Sequence, residues 1–329
     1  MTHMANPLAT PDQLYQRTSF SALPSDLQDI IFFATQILTQ AAGVLLRIPQ
    51  SVAAQAGVVL ARYWLVVSPL THEFSDVSAA ALFLVAKLGS YPCPPRDVCN
   101  VYAYLLSPSS PLFRGYDSTS RDKEKDKDRD PSSYYLSENA YAAFRARILS
   151  IEARILYSLS FDTHVALPHP LAITYLQALD FLSVPKTEIA ARSVAYLNTA
   201  LLSPQLLYLT HQPNALAVAA VYAAARDVGA KMPECEWWEV FDVDREELGF
   251  LVVGMRSLEG WAKKQREEYE ELRKGMVTRT FIEGKMRKRG LRIGNGSGKD
   301  KVESDEVEDE DEEMAMMRSL DEKAAQLEG

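Results

Sequence analysis

Apolar residues recur at helical spacing along most of the chain up to residue 261. The segment from Leu27 to Leu46 shows this clearly, because its isoleucines and leucines fall mostly on one face of a helix. No alternating apolar and polar run between turn signals predicts a strand. The same periodicity predicts five helices in each half, at about 27–46, 50–67, 75–88, 96–106 and 135–159, and at about 171–182, 186–202, 213–228, 234–241 and 244–260.

Two of these predicted helices carry small and apolar residues on almost every face. Val77 to Gly89 reads VSAAALFLVAKLG, and Leu216 to Gly229 reads LAVAAVYAAARDVG. Alanine is the best helix former, and a glycine just past the last turn is a common left-handed stop. A helix that is apolar on all sides has to be surrounded by other helices. The pattern therefore predicts an all-α fold of two tandem five-helix bundles, each built around its own central helix.

The remaining composition sets the expected domain limits. We expect a flexible N-terminus at 1–24, because this stretch is polar and punctuated by prolines. The first bundle is expected at 25–162, with a solvated insertion at 107–133 that contains the alternating-charge run RDKEKDKDRD. The second bundle is expected at 163–261, followed by a charged and basic helical extension at 262–292.

The acidity of the chain is concentrated at its C-terminus. The formal net charge is −9, and residues 303–329 carry twelve acidic and two basic side chains. The rest of the chain is close to neutral, so we do not expect direct binding to nucleic acid. Residues 293–329 are predicted to be a disordered acidic tail. Within it, Ser304 is a candidate phosphosite because acidic residues follow it directly.

The sequence offers no recognisable catalytic motif. It contains no glycine-rich phosphate loop, no GxSxG and no nucleophilic cysteine with a plausible base. Its three cysteines form no CxxC pair and its five histidines are scattered, so neither a metal nor a cofactor is expected. No apolar run is long enough to predict a membrane span. These observations favour a protein that binds other proteins over an enzyme.

Six short segments carry a more specific signal through their order along the chain. They are Ala42–Gln50 (AGVLLRIPQ), Val59–Trp64 (VLARYW), Arg96–Val101 (RDVCNV), Ile151–Leu156 (IEARIL) with Ser160–Asp162, His164–Pro170 (HVALPHP) and Tyr175–Leu179 (YLQAL). Together they resemble the cyclin family and, within it, the L-type cyclins of transcription and splicing. The resemblance covers about 27–261 and implies that each bundle is a cyclin box.

The resemblance implies a function and a site. Family members activate a cyclin-dependent serine/threonine kinase in RNA polymerase II transcription or pre-mRNA splicing, so we expect a nuclear heterodimer with a kinase catalytic subunit. In the family, a lysine that ends the central helix and a glutamate on the fifth helix engage the kinase, and they match Lys87 and Glu152. Their neighbours Leu88, Phe144 and Ile148 would supply apolar contact area.

A basic run near the end of the extension fits the implied nuclear location. Lys285, Arg287, Lys288 and Arg289 form a candidate nuclear-import signal. Splicing or transcription factors are further expected partners, on the same resemblance.

Two alternatives remain open. The first is a non-activating cyclin-fold adaptor, because this chain has Leu88-Gly89-Ser90 where cyclins commonly carry isoleucine or phenylalanine and two glutamates. The second is a DNA-binding protein like the general transcription factors that share the doubled five-helix fold. The neutral bundles and the absence of cysteine from residues 1–25 weigh against this second reading.

Overall fold

A computed structural model describes residues 5–107, 135–182, 187–269, 272 and 277–291. The acidic tail with Ser304 and nearly all of the charged insertion lie outside the described residues. Within these residues the chain is helical and contains no strand, which confirms the predicted all-α class. The α-helices, in chain order, are α1 Pro11–Tyr15, α2 Ser25–Leu45, α3 Gln50–Val66, α4 Phe74–Leu88, α5 Pro95–Leu106, α6 Glu138–Ser158, α7 Pro168–Ala178, α8 Thr187–Ala200, α9 Leu207–Thr210, α10 Pro213–Val228, α11 Arg245–Glu268 and α12 Arg279–Lys288.

The first bundle consists of α2 to α6 around the central helix α4. Every residue of α4 from Phe74 to Ala86 is buried, as the all-apolar pattern requires. One polar side chain in this core, Ser78, is satisfied by two neighbouring helices. Its hydroxyl lies 2.7 Å from that of Thr39 on α2 and 2.6 Å from that of Tyr102 on α5. This chain of hydroxyls links three helices without leaving a buried polar group unpaired.

The second bundle repeats this plan around α10, except that the short helix α9 precedes α10 and a 3₁₀ turn takes the place of the predicted fourth helix. Helices α7, α8 and α11 pack on α10, whose interior from Ala215 to Ala225 is almost wholly buried. The predicted helix at 234–241 is wrong, since only a 3₁₀ turn forms at Glu239–Phe241. Trp237 explains the difference, because its buried ring packs against the rings of Tyr222 and Phe241. Aromatic packing holds this short segment in place without a helix.

The two central helices stop in different ways. Gly229 has φ +70° and provides the left-handed stop that the sequence predicts. Gly89 has φ −87°, so the same expectation is wrong for α4. Prolines 92, 94 and 95 follow Gly89 closely and hold the chain in a non-helical path.

Both ends of the described chain are fixed to the bundles. The prediction of a flexible segment at 1–24 is wrong for its described part, since Asn6 and Leu23 are buried and α1 forms from Pro11. At the other end, α11 continues past the expected domain limit at 261 as far as Glu268. Trp261 on α11 packs edge-on against Phe33 of α2, with ring centroids 5.2 Å apart. The second bundle and its extension therefore contact the first bundle directly.

Candidate functional site

The structure brings Lys87 and Glu152 together as an ion pair. Lys87 lies in the last turn of α4, where the helix dipole favours a cation, and Glu152 lies on α6. The carboxylate is nearly inaccessible, with 6% of its side chain exposed, whereas the lysine side chain is 49% exposed. The lysine ammonium also lies 5.4 Å from the ring centroid of Phe83. A buried acid thus holds a half-exposed cation at a fixed place on the surface.

A second ion pair, which the sequence analysis missed, joins the same two helices near the start of α4. Nε of Arg147 on α6 donates to Oδ2 of Asp76 at 2.7 Å. Asp76 is in the first turn of α4, so it complements the positive end of the helix dipole. The sequence did contain a signal for both pairs, because Asp76 in the first turn and Lys87 in the last turn are charged residues on an otherwise apolar helix. The two pairs together fix how α6 crosses α4.

Two of the predicted apolar contact residues lie in the core. Phe144 is 6% exposed and Ile148 is 3% exposed, so the prediction that they supply contact area on the surface is wrong. They share a helical stripe with Ile151 and Ile155, which are also buried. The periodicity that made them look like a binding face is that of the face turned toward α4.

Other apolar side chains on or beside these two helices are accessible. Leu88, at the end of α4, is 59% exposed and so accessible to a partner. Five of them, called the exposed apolar group, are Leu88, Tyr91, Leu149, Tyr157 and Phe161. Tyr157 and Phe161 pack edge-on, with centroids 5.6 Å apart. Single exposed apolar residues are ordinary, but Leu88 directly follows Lys87 and Leu149 lies one helical turn before Glu152, so these two flank the ion pair and suit a protein-binding surface.

The predicted import signal lies on α12, which is docked on the first bundle. Arg287, Lys288 and Arg289 are all exposed to solvent, but Arg289, which follows the last residue of α12, pairs with Asp26 at the start of α2. Lys285 is partly covered by aromatic rings. The basic run is therefore not a free surface peptide in this structure.

Metal and membrane features can be stated for the described ranges. No three His, Cys, Asp or Glu side chains gather closely enough there to hold a metal ion. None of the helices in these ranges is long and apolar enough to span a bilayer.

Comparison with solved structures identifies the fold. The chain superposes on a chain of the yeast RNA Pol II CTD kinase CTDK-1 complex with a TM-score of 0.57, covering 89% of this chain and 93% of that one at 14% identity. It also superposes on a chain of the CAK complex of Chaetomium thermophilum bound to ATP-gamma-S, with a TM-score of 0.53, 89% and 94% coverage and 15% identity. The fold is the tandem cyclin fold predicted from the sequence.

Comparison of sequences narrows the class further. No protein-family model matches the chain. It is 30% identical over 216 residues to an uncharacterised cyclin-L1-like protein of Schizosaccharomyces pombe, covering 64% of this chain and 76% of that protein. It is 28% identical to human Cyclin-L2 and 29% identical to human Cyclin-L1, over 87% and 77% of this chain. The chain spans 49% and 44% of these two human relatives. The chain belongs to the cyclin L family.

Proposed function

We propose that this chain is the activating regulatory subunit of a cyclin-dependent serine/threonine kinase that acts in the nucleus, in RNA polymerase II transcription or pre-mRNA splicing. The Lys87–Glu152 pair carries the proposal, since it is already formed at the junction of α4 and α6. Membership of the cyclin L family supports a kinase partner, and one structural neighbour is a chain of an RNA polymerase II CTD kinase complex.

The mechanism follows from conformational selection in the partner. A kinase becomes competent when its mobile helix moves inward and its lysine–glutamate pair can position ATP. A subunit that binds this inward state more tightly than the outward state shifts the population toward it. Catalysis belongs to the kinase, and this chain supplies binding energy without a catalytic residue of its own.

The geometry of the pair suits such binding. Glu152 and the Phe83 ring hold the Lys87 ammonium in place before a partner arrives, so less side-chain entropy is lost on binding. An ammonium group has three N–H donors, and the half-exposed side chain can offer those not directed at Glu152 to backbone carbonyls of a kinase helix. Leu88 and Leu149, both exposed, would supply the apolar anchors.

The test is co-purification of the full chain with its kinase, followed by an assay of kinase activity. Leu88→Asp and Leu149→Asp place a charge on exposed positions, so both variants should fold and lose the kinase. Val253→Asp, at a position on α11 that is 68% exposed, is the control and should retain the kinase. The proposal is wrong if the two folded first-bundle variants keep the kinase bound and active.

One observation favours a second candidate, a cyclin-fold adaptor that binds a kinase without activating it. Gly89 and Ser90 directly follow Leu88 at the end of α4, so this chain lacks the two glutamates that cyclins commonly carry at these sequence positions. The same purified complex separates the two candidates. Activity equal to that of the kinase alone would favour the adaptor, and a clear gain in activity would favour the activating subunit.

A further inference from the structure

Helix α12 returns from the second bundle to the first and buries its own apolar face there. Ile282 and Met286, one turn apart, are completely inaccessible to solvent. Val277, which precedes the helix, is also fully buried. Thr278 caps the first turn, because its hydroxyl accepts the backbone N–H of Phe281 at 3.3 Å. The basic run therefore sits on a capped and packed amphipathic helix.

Polar contacts at both ends of α12 fix it on the first bundle. At the start, the backbone N–H of Arg279 donates to a carboxylate oxygen of Glu73 at 3.2 Å. At the end, the guanidinium of Arg289 makes two hydrogen bonds to the Asp26 carboxylate, at 3.0 and 2.7 Å. Bidentate pairing of this kind is the strong form of an ion pair. The hydrogen bonds from Arg289 also lower the pKa of Asp26 below its ordinary value.

Two of the four predicted signal residues are engaged by these contacts. Arg289 is held by Asp26, and the Lys285 ammonium lies 5.4 Å from the ring centroid of Tyr269 and 5.3 Å from that of Phe281. Tyr269 is itself buried. Within the described ranges Arg287 and Lys288 make no such contact, and Arg289, although paired, keeps 39% of its side chain exposed.

The helical form itself prevents recognition as an extended peptide. Residues 285 to 289 span about 6 Å along a helix axis and about 13 Å as an extended strand. A groove that reads successive basic side chains on an extended backbone therefore cannot accept α12 as it is docked.

We propose that α12 is a latch that stores the basic run, with the Asp26–Arg289 pair as its catch. While the latch is closed, the run is withheld from a nuclear-import receptor of the kind that binds lysine- and arginine-rich segments in an extended form. When α12 leaves the first bundle, the run becomes available. This inference rests on the nuclear location proposed above and adds a condition for reaching the nucleus.

The test measures binding of the full chain to a purified import receptor, with no kinase and no cell present. Ile282→Asp places a charge in the apolar contact and should open the latch. The apparent Kd for the receptor scales inversely with the fraction of open chains. We therefore expect Ile282→Asp to bind the receptor at least about tenfold more tightly than wild type does. Asp26→Asn removes only the catch, keeps all cations of the run, and should give a smaller gain of about threefold.

Two controls make the measurement specific. Asp12→Asn removes an exposed carboxylate from α1 and should leave receptor binding unchanged. Adding Arg287→Ala and Lys288→Ala to the Ile282→Asp chain should abolish the gain, because the opened run has lost its central cations. Hydrogen exchange across 279–289 reports latch opening directly, and Asp26→Asn serves if Ile282→Asp does not fold.

Two results would overturn the proposal. Wild-type chain that binds the receptor as tightly as both latch variants would show that docking does not withhold the run. Variants with fast exchange at α12 and no gain in binding would show that the run is not an import signal. Neither result bears on kinase binding through Lys87 and Glu152, so the failure of the latch and the failure of the proposed function are distinguishable.

Discussion

The two bundles share a feature at the end of their central helices but build it with opposite charges. In the first bundle, Lys87 on α4 pairs with Glu152 on α6. In the second, Asp227 on α10 pairs with Arg256 on α11 at 2.9 Å. Aligning the chain on the two glycines that follow these helices places Lys87 and Asp227 at the same position. Each central helix therefore ends in an ion pair with the last helix of its bundle, with the cation on the central helix in the first bundle and the anion there in the second.

The surroundings of the two pairs also differ. Asp227 accepts a hydrogen bond from the Tyr196 hydroxyl at 2.5 Å, and the Arg192 guanidinium lies 3.9 Å away. The first-bundle pair leaves its lysine half-exposed at the end of α4, next to Leu88. The comparison teaches that an ion pair between the central helix and the last helix of a bundle (α4 with α6, α10 with α11) is part of the architecture. The proposed kinase specificity then depends on having the cation on the central helix, beside accessible apolar residues.

The largest expected effect comes from reversing the charge in the first bundle. Lys87→Glu places two carboxylates together, one of them nearly inaccessible, and should cost about 3–5 kcal/mol of folding free energy. The double change Lys87→Glu with Glu152→Lys should recover most of that stability, while kinase co-purification should stay lost. Chemical denaturation and co-purification measure the two properties separately.

The matched reversal in the second bundle is the control for this comparison. If only the first bundle contacts the kinase, the double variant Asp227→Arg with Arg256→Asp should bind the kinase within about twofold of the wild-type affinity. Loss of the kinase from this folded variant would mean that both bundles contribute.

Breaking the other α4–α6 pair should have an intermediate effect. Arg147→Ala leaves Asp76, which is mostly buried, without its ion-pair partner, at a cost of about 1–3 kcal/mol. Arg147→Ala should weaken kinase binding only indirectly, to the extent that α6 changes its position on α4. Arg145→Ala, an exposed position on α6, is the comparison variant and should be close to neutral.

Asn6→Ala should loosen the connection between the bundles. The Asn6 amide donates to the carbonyl of Ala166 and accepts from its N–H, both at 2.8 Å. Losing these bonds at a buried site should cost about 1–2 kcal/mol. In Asn6→Ala, hydrogen exchange should rise at residues 164–167 before it rises at α4. Equal exchange at 164–167 in the variant and in wild type would contradict a linking role for Asn6.

The smallest expected effect is a pH dependence at Asp29 on α2. Burial raises the pKa of this carboxyl to about 6, against the opposing effect of Arg17. Because the folded pKa is above the unfolded value, the ionised carboxylate destabilises the folded state above pH 6, and this cost fades as the pH falls from 6 toward 4. Asp29→Asn should therefore be more stable than wild type at pH 7.5 by less than about 1 kcal/mol, and this difference should shrink near pH 4. Thermal unfolding at both pH values measures it.

Local patterns in the sequence determined the helical class and most helix positions. Period-3.6 apolar spacing and alanine-rich segments act within a few turns, so α2 to α6, α8, α10 and most of α11 could be predicted. Lys87 and Glu152 were found through the resemblance to cyclins, and the structure places them together. Local rules also have a limit, because periodicity alone could not show whether the stripe of Phe144 and Ile148 faces a partner or the core.

Only the tertiary structure decided which distant polar groups meet. Asn6 pairs with Gln212 across 206 positions, and Asp26 with Arg289 across 263. Nothing within a few residues of either group encodes its partner, so the sequence predicted a flexible N-terminus and left the place of the extension open. The helix predicted at 234–241 failed for a related reason, since the ring of Tyr222 on α10 packs on Trp237 and the segment forms a shorter turn instead. Helices follow from local backbone and side-chain preferences, whereas long-range pairing follows from the packing of the whole chain.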